Sequence, residues 1–260
     1  MTDQIWRLHL GSGPLIATAV HDGHDVRDDV AKHLALTDLE QLREEDPFTG
    51  EWAEVAPTRV VGTRSRFEVD LNRPREKAVY RKPEDAWGLN VWKDDPPNEM
   101  FNRSLEQYDA FYASMHEMFT AIAEQYGHFI VFDLHTYNHR REGPDGPTAD
   151  PEANPQVNIG TGTMDRQRWA PVVDSFLDTL RSFDFPGGKL DVRENVKFRG
   201  GNWPRWIHDE FPDNGIAIAI EFKKFFMDEW SGEPDNLMVE AIGDALKFTA
   251  PSVLDALKRA

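Results

Sequence analysis

Three apolar runs of buried-strand length each stop at a residue able to ligate a metal or move a proton. Residues 15–20 (LIATAV) run into His21, residues 128–134 (HFIVFDL) run into His135, and residues 215–222 (GIAIAIEF) carry Glu221 near their end. A strand that is apolar at every position is covered on both faces, which calls for helices on either side of a largely parallel sheet. The intervening segments offer such helices. Residues 26–42 have helical spacing, interrupted where Thr37-Asp38 can cap a second start. Residues 104–126 repeat Leu105, Tyr108, Phe111, Met115, Phe119 and Ile122 at three- and four-residue steps, with Ser104 as the expected cap. Residues 166–183 and 236–258 follow the same pattern. The expected fold is therefore one α/β domain over residues 1–260, with a mixed, largely parallel central sheet between helical layers. The alternation of residues 59–71 predicts a further strand carrying Arg64, Arg66 and Glu68 on one face, while residues 75–103 read as a long functional or covering loop.

Ligands of open α/β sheets sit outside the carboxyl ends of the strands, where all three of these residues fall. The formal net charge of -17 argues against a phosphate-backbone binder and against an anionic membrane surface. It also makes any cluster of arginines conspicuous. The chain has no cysteine, so histidine and carboxylate are the strong metal ligands available. Residues 1–10 mix Asp3, Arg7 and His9 among apolar residues, unlike a signal peptide, and no window reaches the length of a membrane span. A cytoplasmic protein is expected.

Two histidines and a carboxylate leave zinc an open position for water, whose pKa then falls toward ~7. A separate glutamate can take the proton and pass it to a leaving amine. The acidic stretch Glu44-Glu45-Asp46 offers the carboxylate, and His24, three residues after His21, is its rival. In Asp70-Leu71-Asn72-Arg73-Pro74 an amide beside a guanidinium suits a bound carboxylate, with Arg66 just before it. Gly160-Thr161-Gly162 and Arg199-Gly200-Gly201-Asn202 are weak turn signals that allow close backbone approach.

Together, His21-Asp22-Gly23, Ser65-Arg66 through Pro74, Asp133-Leu134-His135-Thr136, Asn158-Ile159-Gly160-Thr161, Phe198-Arg199-Gly200-Gly201, and Glu221 followed by Phe226-Met227-Asp228-Glu229 resemble the N-formylglutamate amidohydrolase family over nearly the whole chain. The family in turn looks like a distant relative of zinc carboxypeptidases and aspartoacylase-like deacylases. The resemblance implies a carboxypeptidase-like three-layer fold and hydrolysis of a small N-acylated acidic amino acid, N-formyl-L-glutamate first, as in histidine degradation. It implies His21, His135 and Asp46 as ligands of one Zn2+, with Glu45 and His24 as alternatives to Asp46, and Mn2+ or Co2+ as other metals. It implies Glu221 as general base, Asn72 and Arg73 as the clamp on a substrate carboxylate, and Arg66 at the second carboxylate or the oxyanion. Asp133 is expected to support His135. Tyr137 and Asn138-His139-Arg140-Arg141 depart from the family pattern and leave the acyl amino acid open. A related deacylase, a carboxypeptidase-like hydrolase and a non-catalytic metal or ligand binder are the alternatives.

Overall fold

The computed structural model describes residues 4–260; Asp3 and the two residues before it lie outside the described residues. A seven-stranded sheet has the order β1-β3-β2-β4-β7-β5-β6. The strands are β1 (Trp6–His9), β2 (Leu15–Ala19), β3 (Thr58–Gly62), β4 (Phe129–Tyr137), β5 (Val157–Gly160), β6 (Val192–Glu194) and β7 (Gly215–Lys223). Strands β3, β2, β4 and β7 run parallel. β1 and β5 are antiparallel to their inner neighbours, and β6 is parallel to β5. The helices are α1 (Asp28–His33), α2 (Asp38–Glu44), α3 (Thr49–Trp52), α4 (Asn98–Tyr126), α5 (Ala170–Ser182), α6 (Asn202–Glu210) and α7 (Asn236–Leu257).

Side-chain alternation divides the core as expected for a sheet buried on both faces. Leu15, Ala17, Phe132, Leu134, Ile218 and Ile220 join one apolar cluster with residues of α5 and α7. Ile16, Phe129, Val131 and Ala217 join another with Phe111, Met115 and Phe119 of α4 and Trp203 and Ile207 of α6. No helix of the described residues is long and apolar enough to cross a membrane.

Two local expectations need correction. Residues 59–71 are not one strand: β3 ends at Gly62, and the backbone N–H groups of Glu68 and Val69 turn back to the Ser65 carbonyl. Arg64, Arg66 and Glu68 therefore share no strand face; Glu68 instead accepts from the Arg27 backbone N–H at 2.7 Å. Helix α4 starts at Asn98, after Pro97, and Ser104 lies buried inside it as an acceptor for Arg27. Proline loses nothing at a helix start, where the N–H would lack a partner. At Thr37 the expected cap is present, as a full capping box with Glu40.

Candidate active site

β2, β4 and β7 are neighbours, so their carboxyl ends bring three distant segments together. His21 lies two residues past β2, while His135 sits within β4 directly opposite Glu221 of β7. Asp133 and His135, two residues apart, share one face of β4. Asp46 is delivered by the turn after α2, and its backbone N–H donates to the His21 carbonyl at 3.0 Å.

The Nδ1 atoms of His21 and His135 lie 3.2 and 2.9 Å from one oxygen, Oδ2 of Asp46. The other Asp46 oxygen accepts from the Thr136 hydroxyl at 2.9 Å. Each imidazole turns its Nε2 to a second buried carboxylate: His21 to Asp70 at 2.7 Å and His135 to Asp133 at 3.0 Å. Asp133 is braced by Thr18. Asp70 also accepts from Arg66, Tyr80 and the Asn72 backbone N–H.

Electrostatics follow from this packing. Burial alone would raise the Asp46 carboxyl, but the hydrogen bonds from His135 and His21 hold it well below the usual carboxylate range. Asp70 is likewise held low against burial, chiefly by Arg66 and then His21. His135 is raised despite burial, which favours the neutral form, because Asp133 and Asp46 favour its cation. Glu221 is pushed up to about 8 by burial, with the charges of Asp46 and Asp133 adding to the rise and His135 opposing it.

This donor set fits a divalent metal. One atom each of His21, Asp46 and His135 lies within 4.8 Å of the others, and all three residues are buried. One cation in place of the two Nδ1 protons would face two imidazole nitrogens and a carboxylate, while Asp70 and Asp133 keep the Nε2 protons and so fix both tautomers. The alternative ligands are engaged with each other: His24 Nδ1 lies 2.6 Å from Glu45 Oε2, and Ser65 donates to the other Glu45 oxygen.

The cluster forms part of the floor of a cleft of about 900 Å³. Arg43, Arg66, Arg73, Arg141, Lys197, Arg199, Arg205 and Lys224 line it, against the carboxylates of Glu44, Asp46 and Glu221. A chain with a net charge of -17 has gathered cations here. Several are already committed. Arg141 forms a two-pronged pair with Glu44, and Arg66 donates to Asp70, to Tyr80 and to the Glu44 carbonyl. Arg73 is less engaged, its nearest carboxylate being Asp70 at 3.7 Å. Trp87 carries Arg66 at 4.8 Å and Arg73 at 5.9 Å over its ring. Asn72 brings its amide nitrogen 3.4 Å from His135 Nε2 and accepts from the Trp203 N–H. His21, Asp46, Arg66, Asn72, Arg73, His135 and Glu221 thus all border one cleft, while His24, Glu45 and Asp133 do not line it.

The two glycine motifs turn out to be halves of one contact. A side chain at Gly160 or Gly162 would strike the backbone of Arg199 and Gly200, and one at Gly201 would strike Asn72. Close seating of this loop brings Arg199 to the cleft. Arg141, Arg199, Arg205, Lys224 and Trp87 were not singled out from sequence as site residues. A charged residue just past an apolar strand end is a usable signal for Lys224, and the Gly-Gly turn was a weak one for the loop of Arg199, while nothing local marked Arg141, Arg205 or Trp87.

A model of the N-formylglutamate amidohydrolase family matches residues 13–227. Among solved structures, the chain is similar to an N-formylglutamate amidohydrolase from Ralstonia eutropha, with a TM-score of 0.78 and 16% identity over 98% of this chain and 99% of that one. It is also similar to a gene product of Agrobacterium tumefaciens, with a TM-score of 0.66 and 17% identity over 96% of this chain and 95% of that one. No curated protein matches the sequence.

Proposed function

Because the chain belongs to the N-formylglutamate amidohydrolase family, we propose that it is a metal-dependent amidohydrolase that converts N-formyl-L-glutamate and water to formate and L-glutamate. The observation that carries this reading is the shared one: two imidazoles turn the same ring nitrogen to one carboxylate oxygen, and each has its other nitrogen on a buried acid. His21, Asp46 and His135 would hold the ion. Bound there, a divalent metal supplies Lewis acidity toward an amide oxygen and makes a water molecule more acidic, and zinc, manganese and cobalt all suit such ligands.

Glu221 handles the proton. Burial and the charges of Asp46 and Asp133 raise its pKa in the ion-free site; a cation held by His21, Asp46 and His135 would draw it back down, so that the carboxylate could serve as base toward water and, once protonated, as acid toward a leaving amine. It accepts the proton of the attacking water and delivers it to the amide nitrogen as the C–N bond breaks. Asn72 and Arg73 bind a substrate carboxylate, Arg73 having its guanidinium largely uncommitted. Arg66 retains donors toward the cleft for the second carboxylate or the oxyanion. The surplus of cations around the site supports a small dianionic substrate.

The test is release of formate from a panel of N-acyl amino acids by the chelated and metal-reloaded protein. The reading expects formate from N-formyl-L-glutamate, lost on chelation and restored by zinc. Release of acetate or of a free C-terminal residue instead would assign a different deacylase or a carboxypeptidase-like hydrolase. Metal binding with no hydrolysis of any member would assign a binder.

A further inference from the structure

Among the described residues no other lysine or arginine is as deeply buried as Lys224, 1% exposed. It stands three residues past Glu221 and just beyond β7, where its backbone N–H donates to the Tyr137 carbonyl and prolongs the β4–β7 ladder. Its ammonium donates to two carbonyls of a single stretch, Arg43 at 2.5 Å and Glu45 at 2.7 Å. These lie at the carboxyl end of α2, where a helix leaves acceptors unsatisfied and a cation is favoured.

The next residue is Asp46. Its backbone is otherwise held by its N–H on the His21 carbonyl, 3.0 Å, and by the Thr49 hydroxyl on its own carbonyl, 2.6 Å, while the Thr136 hydroxyl donates to its carboxylate at 2.9 Å. After Pro47 the chain turns through Phe48 at φ 71, a left-handed conformation that a bulky side chain disfavours. Such a turn needs outside support. Both hydrogen bonds of its ammonium go to backbone oxygens rather than to carboxylates, while the charges of Asp46, Glu44, Glu229 and Glu45 around it favour the cation.

We infer that Lys224 is a positioning residue for the metal: by holding the Arg43 and Glu45 carbonyls it sets the Asp46 carboxylate against His21 and His135. This rests on the reading of Asp46 as a ligand. A charged, buried group is expensive unless fully bonded, and here the bonds hold the stretch that leads into the ligand farthest from any strand end.

The experiment measures zinc affinity of the full chain by competition with a chromophoric chelator, together with circular dichroism and kcat and KM. Lys224→Met should fold, bind zinc about 10- to 100-fold more weakly, as for other residues that orient a ligand, and lose kcat with KM unchanged. Lys224→Arg should fall between Lys224→Met and wild type. In an Asp46→Asn background, Lys224→Met should add nothing to the loss of affinity. A folded Lys224→Met protein with wild-type zinc affinity overturns the inference, as does a change in KM alone, which would make Lys224 a substrate contact. Additive losses with Asp46→Asn overturn it too. Should Lys224→Met fail to fold, wild-type affinity in Lys224→Arg overturns it. A wild-type chain that binds no zinc overturns this inference and the proposed metal dependence together, whereas zinc bound equally by wild type and variants overturns this inference alone.

Discussion

His135 and Glu221 face one another across a parallel ladder, whereas Arg73 and Arg199, on the walls of the same cleft, stand on chain with no strand or helix of its own. On the floor, backbone pairing sets side-chain positions and buried carboxylates set ring orientations. On the walls the backbone is held piecemeal. Tyr108 and Tyr112 of α4 donate to the carbonyls of Arg73 and Leu71 at 2.9 and 2.8 Å. Trp87 and Gly200 take positive φ values of 54 and 105. On the proposed function, chemistry and recognition are separately anchored: a change on the floor should strike turnover, and a change on the walls should strike binding.

The largest effect that bears on this division is expected from Glu221→Gln. Loss of the proton carrier should lower kcat by roughly 10²- to 10⁴-fold while zinc content, measured by atomic absorption, stays at the wild-type level. An equal loss of zinc would mean that the floor is not divided into ligands and proton carrier as described.

Next comes a joint between the two regions. His208 of α6 accepts from the Ala217 N–H of β7 at 2.9 Å and lies 3.1 Å from the Thr163 hydroxyl, so it anchors a wall helix to the sheet as neutral imidazole. Burial lowers its pKa from 6.5 to about 4. The unfolded chain therefore binds a proton that the folded one refuses, and stability should be full above pH 6.5, fall on acidification, and level off below about pH 4. The loss amounts to about 1.4 kcal/mol per pH unit over that window, on the order of 3 kcal/mol in all. Urea denaturation across the window should show His208→Gln with a flatter pH profile than wild type. Parallel profiles would remove the joint.

A smaller effect belongs to the clamp. Arg73→Ala removes charge-assisted bonds worth about 1.5–3 kcal/mol, which should raise KM for N-formyl-L-glutamate by roughly 10- to 100-fold with kcat little changed. KM for the corresponding diamide should not move. Equal shifts for both compounds would deny charge recognition at this wall. The smallest effect is predicted for Trp87→Ala. A cation–π contact at an exposed site contributes about 0.5–1 kcal/mol, so KM should rise a few-fold, and Trp87→Phe should restore part of it. A fall in kcat with KM unchanged would place Trp87 on the catalytic side of the division.

The floor was legible in the sequence for the reason that makes it rigid. Apolar runs must be interior strands, their polar ends must meet at one edge of the sheet, and His21, His135 and Glu221 follow from that alone. The Thr37 cap was legible because the capping box is local. The walls were not. Residues 63–71 alternate like a strand, yet Ser65, Glu68 and Asp70 satisfy distant partners, and those contacts override local propensity. Ser104 reads as a cap by type, but two prolines upstream let α4 begin earlier. With nine residues and Pro204 among them, α6 is too short for its pattern to reveal that Trp203 and Ile207 are core residues. The backing of His21 by Asp70 joins residues 49 positions apart, which no local pattern reveals.

The imidazoles of His21 and His135 are placed to share one ion through Nδ1. An anomalous difference map from zinc-loaded crystals, collected at the zinc absorption edge, tests it most directly. One peak is expected about 2.0–2.1 Å from both Nδ1 atoms, with an oxygen of Asp46 beside it and Asp70 and Asp133 still on the Nε2 atoms. A peak between His24 and Glu45, ligation through Nε2, or no ordered zinc between the two rings would contradict it.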